Sequence, residues 1–294
     1  MVLSIERTMR RWPRLLALLL SGCTCAEGPR EETPAPPDEP TATADPMAAY
    51  EVAEVVNGGT ITGTVSWSGE RPAETPERGR GIAAPCGAVR PLSSLAVSRQ
   101  GGVSDTVVSL EGVHRGRGMP ANPAAQVLAV HACSVEPRVV ALAVGTPLSL
   151  RLSGGTRVQV HAFRRQGRRP ENPWFSVTLE EGIPTHEVPL DEAGLSRLAG
   201  DERSAGLVGW VHALSHPYFA VTDAEGRFQI AGIPPGQYVL RAWHEGIRWT
   251  GQDPGGPVGG SAPIVLARPV TITVGHDTTV DFVIGPDDAA AAGD

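Results

Sequence analysis

The sequence contains no lysine and few aromatic residues, whereas glycine and proline are abundant. All 25 basic residues are arginine, and the 294 residues include 35 glycines and 27 prolines. Long helices tolerate this balance poorly, because glycine and proline both destabilise a helix interior. Short strands joined by turns tolerate it well. The composition therefore favours a protein of strands and turns, long enough for one large domain or two small ones.

Motifs of enzyme active sites are also missing. The sequence has no G-x-S-x-G elbow for serine hydrolysis. The stretch 251–263, GQDPGGPVGGSAP, lacks lysine and is typical of a flexible loop rather than a phosphate-binding loop. His212 and His216 have the H-x-x-x-H spacing of zinc proteases, but WVHALSHPYF is typical of a strand, in which four residues span about 13 Å. We therefore expect no enzymatic activity.

The chain is acidic once its first residues are set aside. Residues 1–22 carry four arginines and one glutamate, so the remainder has 21 basic and 31 acidic residues. Because a net negative charge repels phosphates, no nucleic-acid partner is expected. The local exception comprises Arg164, Arg165, Arg168 and Arg169, which we interpret as a solvated, turn-forming loop.

The N-terminus has the organisation of a secretory signal. Three arginines within residues 10–14 precede the apolar run 15–20 and the small residues that follow it. This run is far shorter than the ~20 residues that a membrane-spanning helix needs. The stretch LSGC, ending at Cys23, resembles a bacterial lipobox, whose cysteine is lipidated before cleavage in front of it. The resemblance implies a signal peptide over 1–22 and a lipid anchor on Cys23; an ordinary signal peptide with an incidental cysteine is the alternative.

Residues 23–56 are predicted to form a disordered tether. The stretch 26–48, AEGPREETPAPPDEPTATADPMA, is dominated by proline, acidic residues, threonine and alanine, and has almost nothing to bury. A tether directly after a lipidated cysteine suits a domain held at a membrane surface. Thr24 stands where an inner-membrane retention aspartate would stand, which favours the outer membrane. We expect a cell-envelope protein that binds the membrane through its lipid and has an envelope protein or a small molecule as partner.

The chain has four cysteines: Cys23, Cys25, Cys86 and Cys133. Export would place the last two in a compartment where disulfides persist. Cys86 lies in a Pro-Cys-Gly turn, and Cys133 ends the apolar stretch QVLAVHAC. We expect a disulfide between Cys86 and Cys133, with free thiols as the alternative, and no role for Cys25.

From residue 57 onward, short apolar segments alternate with turn residues. Stretches such as TITGTVSW and RVQVHAF are rich in Val and Thr, and Gly, Pro or Ser clusters separate them, as in β-sandwiches. We predict an all-β chain with one sandwich over 57–215, a second over 216–286 and a disordered tail over 287–294. Only 191–200, DEAGLSRLAG, could form a helical turn or two. The strand TITGTVSW could instead pair within the second sandwich, which would make the first an insertion.

The segment 222–246, TDAEGRFQIAGIPPGQYVLRAWHEG, has the most specific pattern in the chain. Asp223 to Gly226 predict a turn, Phe228 and Ile230 alternate towards one side, and Pro-Pro-Gly predicts the next turn. This pattern resembles the carboxypeptidase regulatory-like repeat, a small transthyretin-like, immunoglobulin-like β-sandwich. In that family the repeat is a folding module, so the resemblance implies no catalytic residues here.

A second resemblance covers roughly residues 57–248. Its ordered landmarks are GTITGTV, Cys86, Cys133, Gly145-Thr146-Pro147, His161, HPYFAVTD and Trp243-His244-Glu245. They are similar to those of periplasmic cupredoxin-like proteins related to plastocyanin and to methylamine-utilisation proteins. Those proteins join a copper-binding sandwich to a terminal transthyretin-like module. The resemblance implies a cupredoxin-like β-sandwich over 57–215.

Copper in that family is bound by a cysteine thiolate, two imidazoles and a methionine thioether. His161 matches the first imidazole. Aligned on HPYFAVTD, the family's C-D-V-H-P-W-M run falls on residues 201–207. Asp201, Ser204 and Leu207 then replace the cysteine, the histidine and the methionine. The resemblance thus implies a scaffold that has lost its copper, with no cofactor, and we expect His161 to lie within reach of 201–207 and to donate to Asp201.

The sequence as a whole predicts a non-enzymatic lipoprotein that acts as a binding or structural module. The alternative is a copper protein that transfers electrons or carries the metal. A relocated metal site would require His161 to cluster with two side chains from His131, His186, His212, His216, His244 or Cys133.

Overall fold

The computed structural model describes residues 50–70, 76–77, 90–91, 95–121, 123–154, 157–165, 172–201, 204, 206–246, 248–250, 258–260 and 262–291. Their regular structure is almost entirely β-strand, which confirms the all-β prediction. The predicted signal peptide, Cys23 and Cys86 lie outside these residues. Within the described ranges, no helix is long and apolar enough to cross a bilayer.

The strands and the helix, in chain order, are β1 (Glu51–Val52), β2 (Gly59–Trp67), β3 (Pro76–Glu77), β4 (Arg90–Pro91), β5 (Val107–Glu111), β6 (Arg115–Gly116), β7 (Gln126–Val130), β8 (Val135–Glu136), β9 (Val139–Ala143), β10 (Leu148–Leu152), β11 (Arg157–Arg165), β12 (Asn172–Glu180), β13 (Thr185–Val188), β14 (Gly194–Gly200), β15 (Val208–Leu214), β16 (Phe219–Val221), β17 (Arg227–Ile233), β18 (Gly236–His244), β19 (Arg248–Thr250), β20 (Val258–Gly260), β21 (Ile264–Ile272), β22 (Asp277–Thr279), β23 (Phe282–Ile284) and α1 (Pro286–Ala291).

Two sheets enclose the first core. One has the strand order β16-β5-β18-β21; the other has the order β17-β2-β22, and β23 also pairs with β2. Their facing side chains include Ile61, Leu110, Tyr218, Leu240 and Phe282, each at most 1% exposed. Burying a large apolar side chain contributes roughly 1.5–3 kcal/mol. This core therefore holds the two sheets against each other.

Two other sheets, built from residues 126–214, enclose the second core. Their strand orders are β13-β10-β7-β8 and β12-β11-β14-β15-β9. On β11, Val158, Val160 and Ala162 are buried in this core, whereas the alternate residues between them are more exposed. Because successive side chains of a strand point to opposite faces, the outer face of the five-stranded sheet carries the polar residues of β11.

The first long strand, β2, belongs to the first core. It pairs antiparallel with β17, where residues 61–64 lie opposite 227–230. Strand β5 pairs with β18 in the same core. The strands of the second core therefore lie within the chain of the first. The second core is thus inserted in the chain of the first, an arrangement that the sequence left open. A domain boundary at residue 215 does not separate the two cores.

Three local expectations are corrected. Residues Gly194–Gly200 form a strand rather than a helical turn, because β11 and β15 pair with both of its edges. The tail predicted to be disordered begins as α1, where Gly285 N–H donates to Asp288 Oδ2 at 2.8 Å and caps the first turn. The predicted tether ends before residue 56, because Glu51–Val52 pairs in parallel with Arg115–Gly116.

Candidate functional site

The segment predicted to replace the copper ligands is a tight connection between β14 and β15. Ser204 N–H donates to Asp201 Oδ1 at 3.0 Å, and Leu207 N–H donates to the Ser204 carbonyl at 2.8 Å. Gly200 N–H donates to the Leu207 carbonyl at 3.2 Å, which closes the connection. Ser204 is 3% exposed, and Leu207 is 1% exposed within the second core. All three replacement positions thus have structural roles.

His161 lies on the outer face of the five-stranded sheet. In the strand register it is opposite Ser176 on β12 and Ala199 on β14. Its Nδ1 and Ser176 Oγ are 2.9 Å apart and hydrogen-bonded. The neighbouring strand therefore supplies the imidazole's partner, while the Asp201 carboxylate caps its own turn.

The other candidate histidines are spread over both cores. His131 follows β7, and the ring centroids of His186 and Phe175 are 5.1 Å apart. His216 Nδ1 accepts a hydrogen bond from Tyr218 N–H at 3.2 Å. Burial lowers the pKa of His216. Among the residues that the structure describes, no group of three or more His, Cys, Asp or Glu side chains is arranged to hold a metal ion.

Cys133 is disulfide-bonded. The other three cysteines, including the expected partner Cys86, lie outside the described residues, so the Cys86–Cys133 pairing stays a prediction. Because the thiolate is the metal-binding form of cysteine, a disulfide-bonded Cys133 does not supply the sulfur ligand of a blue-copper site.

A third buried cluster, called the junction below, joins the two cores. Val107 of β5 and Trp243 of β18, from a sheet of the first core, pack against Val139, Val208 and Trp210 of the five-stranded sheet. The rings of Trp210 and Trp243 lie edge to face with centroids 5.2 Å apart. Such aromatic pairs contribute about 0.5–1.5 kcal/mol beyond the area that they bury. The junction therefore fixes the outer face of the five-stranded sheet against the first core.

A buried ion pair lies beside the junction. Arg138 donates from Nε to Glu245 Oε1 and from Nη2 to Oε2, the latter at 2.8 Å. Trp210 Nε1–H also donates to Glu245 Oε2, at 2.9 Å, and the Glu245 side chain is only 3% exposed. Burial lowers the pKa of Arg138, but the hydrogen bond to Glu245 and the negative charges of Glu245 and Asp105 together outweigh burial, so the pKa of Arg138 is raised. Burial first, and then the charge of Glu245, raise the pKa of nearby Asp105.

Two imidazoles in this region have buried ring nitrogens without a hydrogen-bond partner among the described residues. His244 is 1% exposed, and within the described structure neither of its ring nitrogens has a partner. His212 Nε2 is also buried and has no hydrogen-bond partner in the described structure. The ring centroids of His212 and Trp243 are 4.3 Å apart. Burial, and secondarily the charge of Arg241, lower the pKa of His212 to about 3. Burial also lowers the pKa of His244 to about 4, so both imidazoles are neutral at pH 7.

Sequence analysis identified the run that contains Glu245 but not the residues that bind its carboxylate. The run Trp243-His244-Glu245 was noted as a landmark, but Arg138 and Trp210, which bind Glu245, were not. Arg138 is 107 residues away along the chain, beyond any local spacing rule. A charged residue directly before the apolar strand β9 was the available local signal. Chemically, Glu245 is a structural acceptor, because three donors from two residues bind its carboxylate.

Comparison with known proteins adds little to this geometry. No protein-family model matches the chain, and no curated protein is similar to it. Fourteen chains of solved structures match, one of them a crystal structure from Pseudomonas aeruginosa described as a candidate carbohydrate-binding protein. That structure is 13% identical, with a TM-score of 0.25, and the match covers 78% of this chain and 90% of the other. This likeness does not establish a shared fold or function.

Proposed function

We propose that the protein is a lipid-anchored cell-envelope protein whose two cores form a non-enzymatic binding or scaffold module. In this proposal the first core is a transthyretin-like β-sandwich, and the second is a cupredoxin-like β-sandwich that has lost its copper. The two facing sheets around each core support the sandwich description. Cys23 provides the anchor, and the outer membrane is the favoured location.

The structural use of the copper-ligand positions carries this proposal. Asp201 caps a turn, Ser204 is buried within it, and Leu207 belongs to the second core. A blue-copper site requires a thiolate and two imidazoles in one trigonal plane. These three side chains supply neither sulfur nor imidazole, and His161 is bonded to Ser176. The residues present do not fit copper in the family's geometry.

A copper(II) titration of the full mature chain in detergent tests the loss of the site. We expect no intense thiolate-to-copper absorption band, and we expect His161→Ala to leave the spectrum unchanged. A cupredoxin with an intact site is the positive control. An intense band would overturn the proposal and support the electron-transfer or copper-carrier alternative.

The anchor is tested separately by Cys23→Ser. We expect the wild-type protein to fractionate with membranes and to carry the mass of its acyl chains, because stable anchoring requires covalent lipid. The variant should move to the soluble fraction, whereas the matched variant Cys25→Ser should stay with the membrane. An unacylated wild-type protein would instead support an ordinary signal peptide.

A further inference from the structure

The first core contains two fully buried polar side chains at its end beside the junction. Thr106 directly precedes β5 and is 0% exposed, and His244 ends β18 and is 1% exposed. Thr106 Oγ1 and both ring nitrogens of His244 have no hydrogen-bond partner among the described residues. Buried polar atoms in folded proteins are almost always hydrogen-bonded, so three such atoms at one place require an explanation.

The strand register places these two side chains next to each other. Val107 of β5 lies opposite Trp243 of β18 in an antiparallel pair, so one further step along both chains brings Thr106 opposite His244. Val107 and Trp243 face the junction, and because successive side chains alternate between faces, Thr106 and His244 face the first core. Directly opposite residues have Cβ atoms about 4.5–5.5 Å apart. The two side chains therefore form one site, called the polar pocket below.

The neighbours of the polar pocket are either already hydrogen-bonded or apolar. Thr106 N–H donates to Thr222 Oγ1 at 3.0 Å, and the Thr222 hydroxyl in turn donates to the Val103 carbonyl at 2.8 Å. On the other side of β18, His244 lies opposite Ile264 of β21, which is apolar and 2% exposed. These neighbours do not offer a partner to the Thr106 hydroxyl or to the imidazole.

The chemistry of the polar pocket selects a small uncharged ligand. A metal ion needs more ligands than one imidazole and one hydroxyl, and no group of three His, Cys, Asp or Glu side chains in the described ranges could hold one. Desolvation would strongly disfavour a charged ligand in a site closed to solvent. The imidazole is itself uncharged at pH 7, because burial lowers the pKa of His244 to about 4. Water can both donate and accept, and buried waters commonly bridge such groups.

We propose that the polar pocket binds enclosed water, with one molecule bridging Thr106 Oγ1 and the nearer ring nitrogen of His244. The two nitrogens of an imidazole point in different directions, so the other nitrogen binds a second molecule. Because the site is closed to solvent, both molecules are part of the folded structure and exchange only when the first core opens locally. The inference goes beyond the proposed function and requires neither the lipid anchor nor the loss of copper.

Water-oxygen magnetic relaxation dispersion of the full chain tests this inference, because it counts water molecules that stay bound for longer than the protein takes to tumble. Thr106→Val combined with His244→Leu replaces the polar atoms of the pocket with apolar ones, and an apolar cavity stays dry. We expect this double variant to lose both long-lived molecules. Thr271→Val is the matched control, since it removes an exposed hydroxyl of β21, and it should leave the count unchanged. An unchanged count in the double variant would overturn the inference.

Should the double variant fail to fold, Thr106→Val alone gives the answer through the sign of its effect on the urea denaturation midpoint. Removing a hydrogen-bonded hydroxyl is destabilising, whereas replacing an unpartnered one with an apolar group of the same shape is neutral or stabilising. We expect a lowered midpoint and the loss of the bridging molecule, with neither change in Thr271→Val. An equal or raised midpoint would contradict the inference. A lowered midpoint with an unchanged water count would also contradict it, because it would indicate a direct bond between Thr106 and His244.

Discussion

Among the residues at and beside the junction, replacement of Glu245 should lower the free energy of unfolding most. Glu245→Ala leaves the Arg138 guanidinium and the Trp210 N–H partly buried without their acceptor. Breaking one side of a buried ion pair costs about 3–5 kcal/mol. We expect a loss of this size in the free energy of unfolding, measured with urea. Glu225→Ala, at an exposed ion pair, is the control and should cost below about 1 kcal/mol; equal effects of the two variants would refute the buried role.

The buried imidazoles make stability depend on pH. The folded-state pKa of His244 is about 4 and that of His212 about 3, both below the usual histidine value of 6.5. Between these values the unfolded chain binds protons that the folded protein does not bind, so stability falls as pH falls below about 6.5. The loss is complete only when pH falls below the folded-state values. Each histidine should contribute about 2 kcal/mol of this loss between pH 7 and pH 4.5.

His244→Leu isolates this contribution. The charges of Arg138 and Glu245 also affect the pKa of His244. Burial raises the pKa of Asp105, whose effect on the pH dependence of stability is therefore opposite to that of the histidines. The informative quantity is the difference in stability between the variant and the wild type. The variant should lose about 2 kcal/mol less than wild type on acidification from pH 7 to pH 4.5. The exposed His276→Ala is the control. Parallel pH profiles for wild type and His244→Leu would show that His244 is not buried as a neutral base.

At the scale of elements, the turn between β16 and β17 depends on Gly226. Its φ is +77°, and an added Cβ would lie 2.3 Å from the Val65 carbonyl oxygen of β2. Gly112 has a similar φ of +83° but open space around the Cβ position, which makes it a matched control. Gly112→Ala should cost about 1 kcal/mol for backbone strain alone, and Gly226→Ala clearly more. Denaturant midpoints that fall equally would show that β2 tolerates a shift.

The strands themselves could largely be predicted from alternating apolar residues, but β14 shows where that pattern fails. Ser196 and Leu198 face the second core, while Leu195 packs at the junction on the opposite face. A strand covered on both faces loses the polar–apolar alternation that identifies a strand, and the Leu195–Leu198 spacing then imitates a helix. The short helix α1 was missed for another reason, since a capping contact from Asp288 starts it rather than an apolar face.

At the scale of the whole molecule, the pairing of β2 with β17 could be proposed from the sequence but not decided. These strands lie more than a hundred residues apart, and periodicity within each strand contains no information about its partner. The same distance hid Arg138 from Glu245. The local pattern of apolar residues predicted the strands that form both cores. The interleaving of the two cores in the chain and the contacts at the junction depend on long-range pairing, which the local pattern does not contain.

The central claim is that two interleaved cores, held by a buried junction, form one body. Guanidinium-induced unfolding tests it directly. It is followed by tryptophan fluorescence, to which Trp210 and Trp243 at the junction contribute among the six tryptophans of the chain, and by far-ultraviolet circular dichroism, which reports on the strands of both cores. Coincident signals indicate a single cooperative transition. We predict that the two curves coincide for the full chain. A fluorescence transition that precedes the loss of β-structure, or two resolved steps in circular dichroism, would contradict the account.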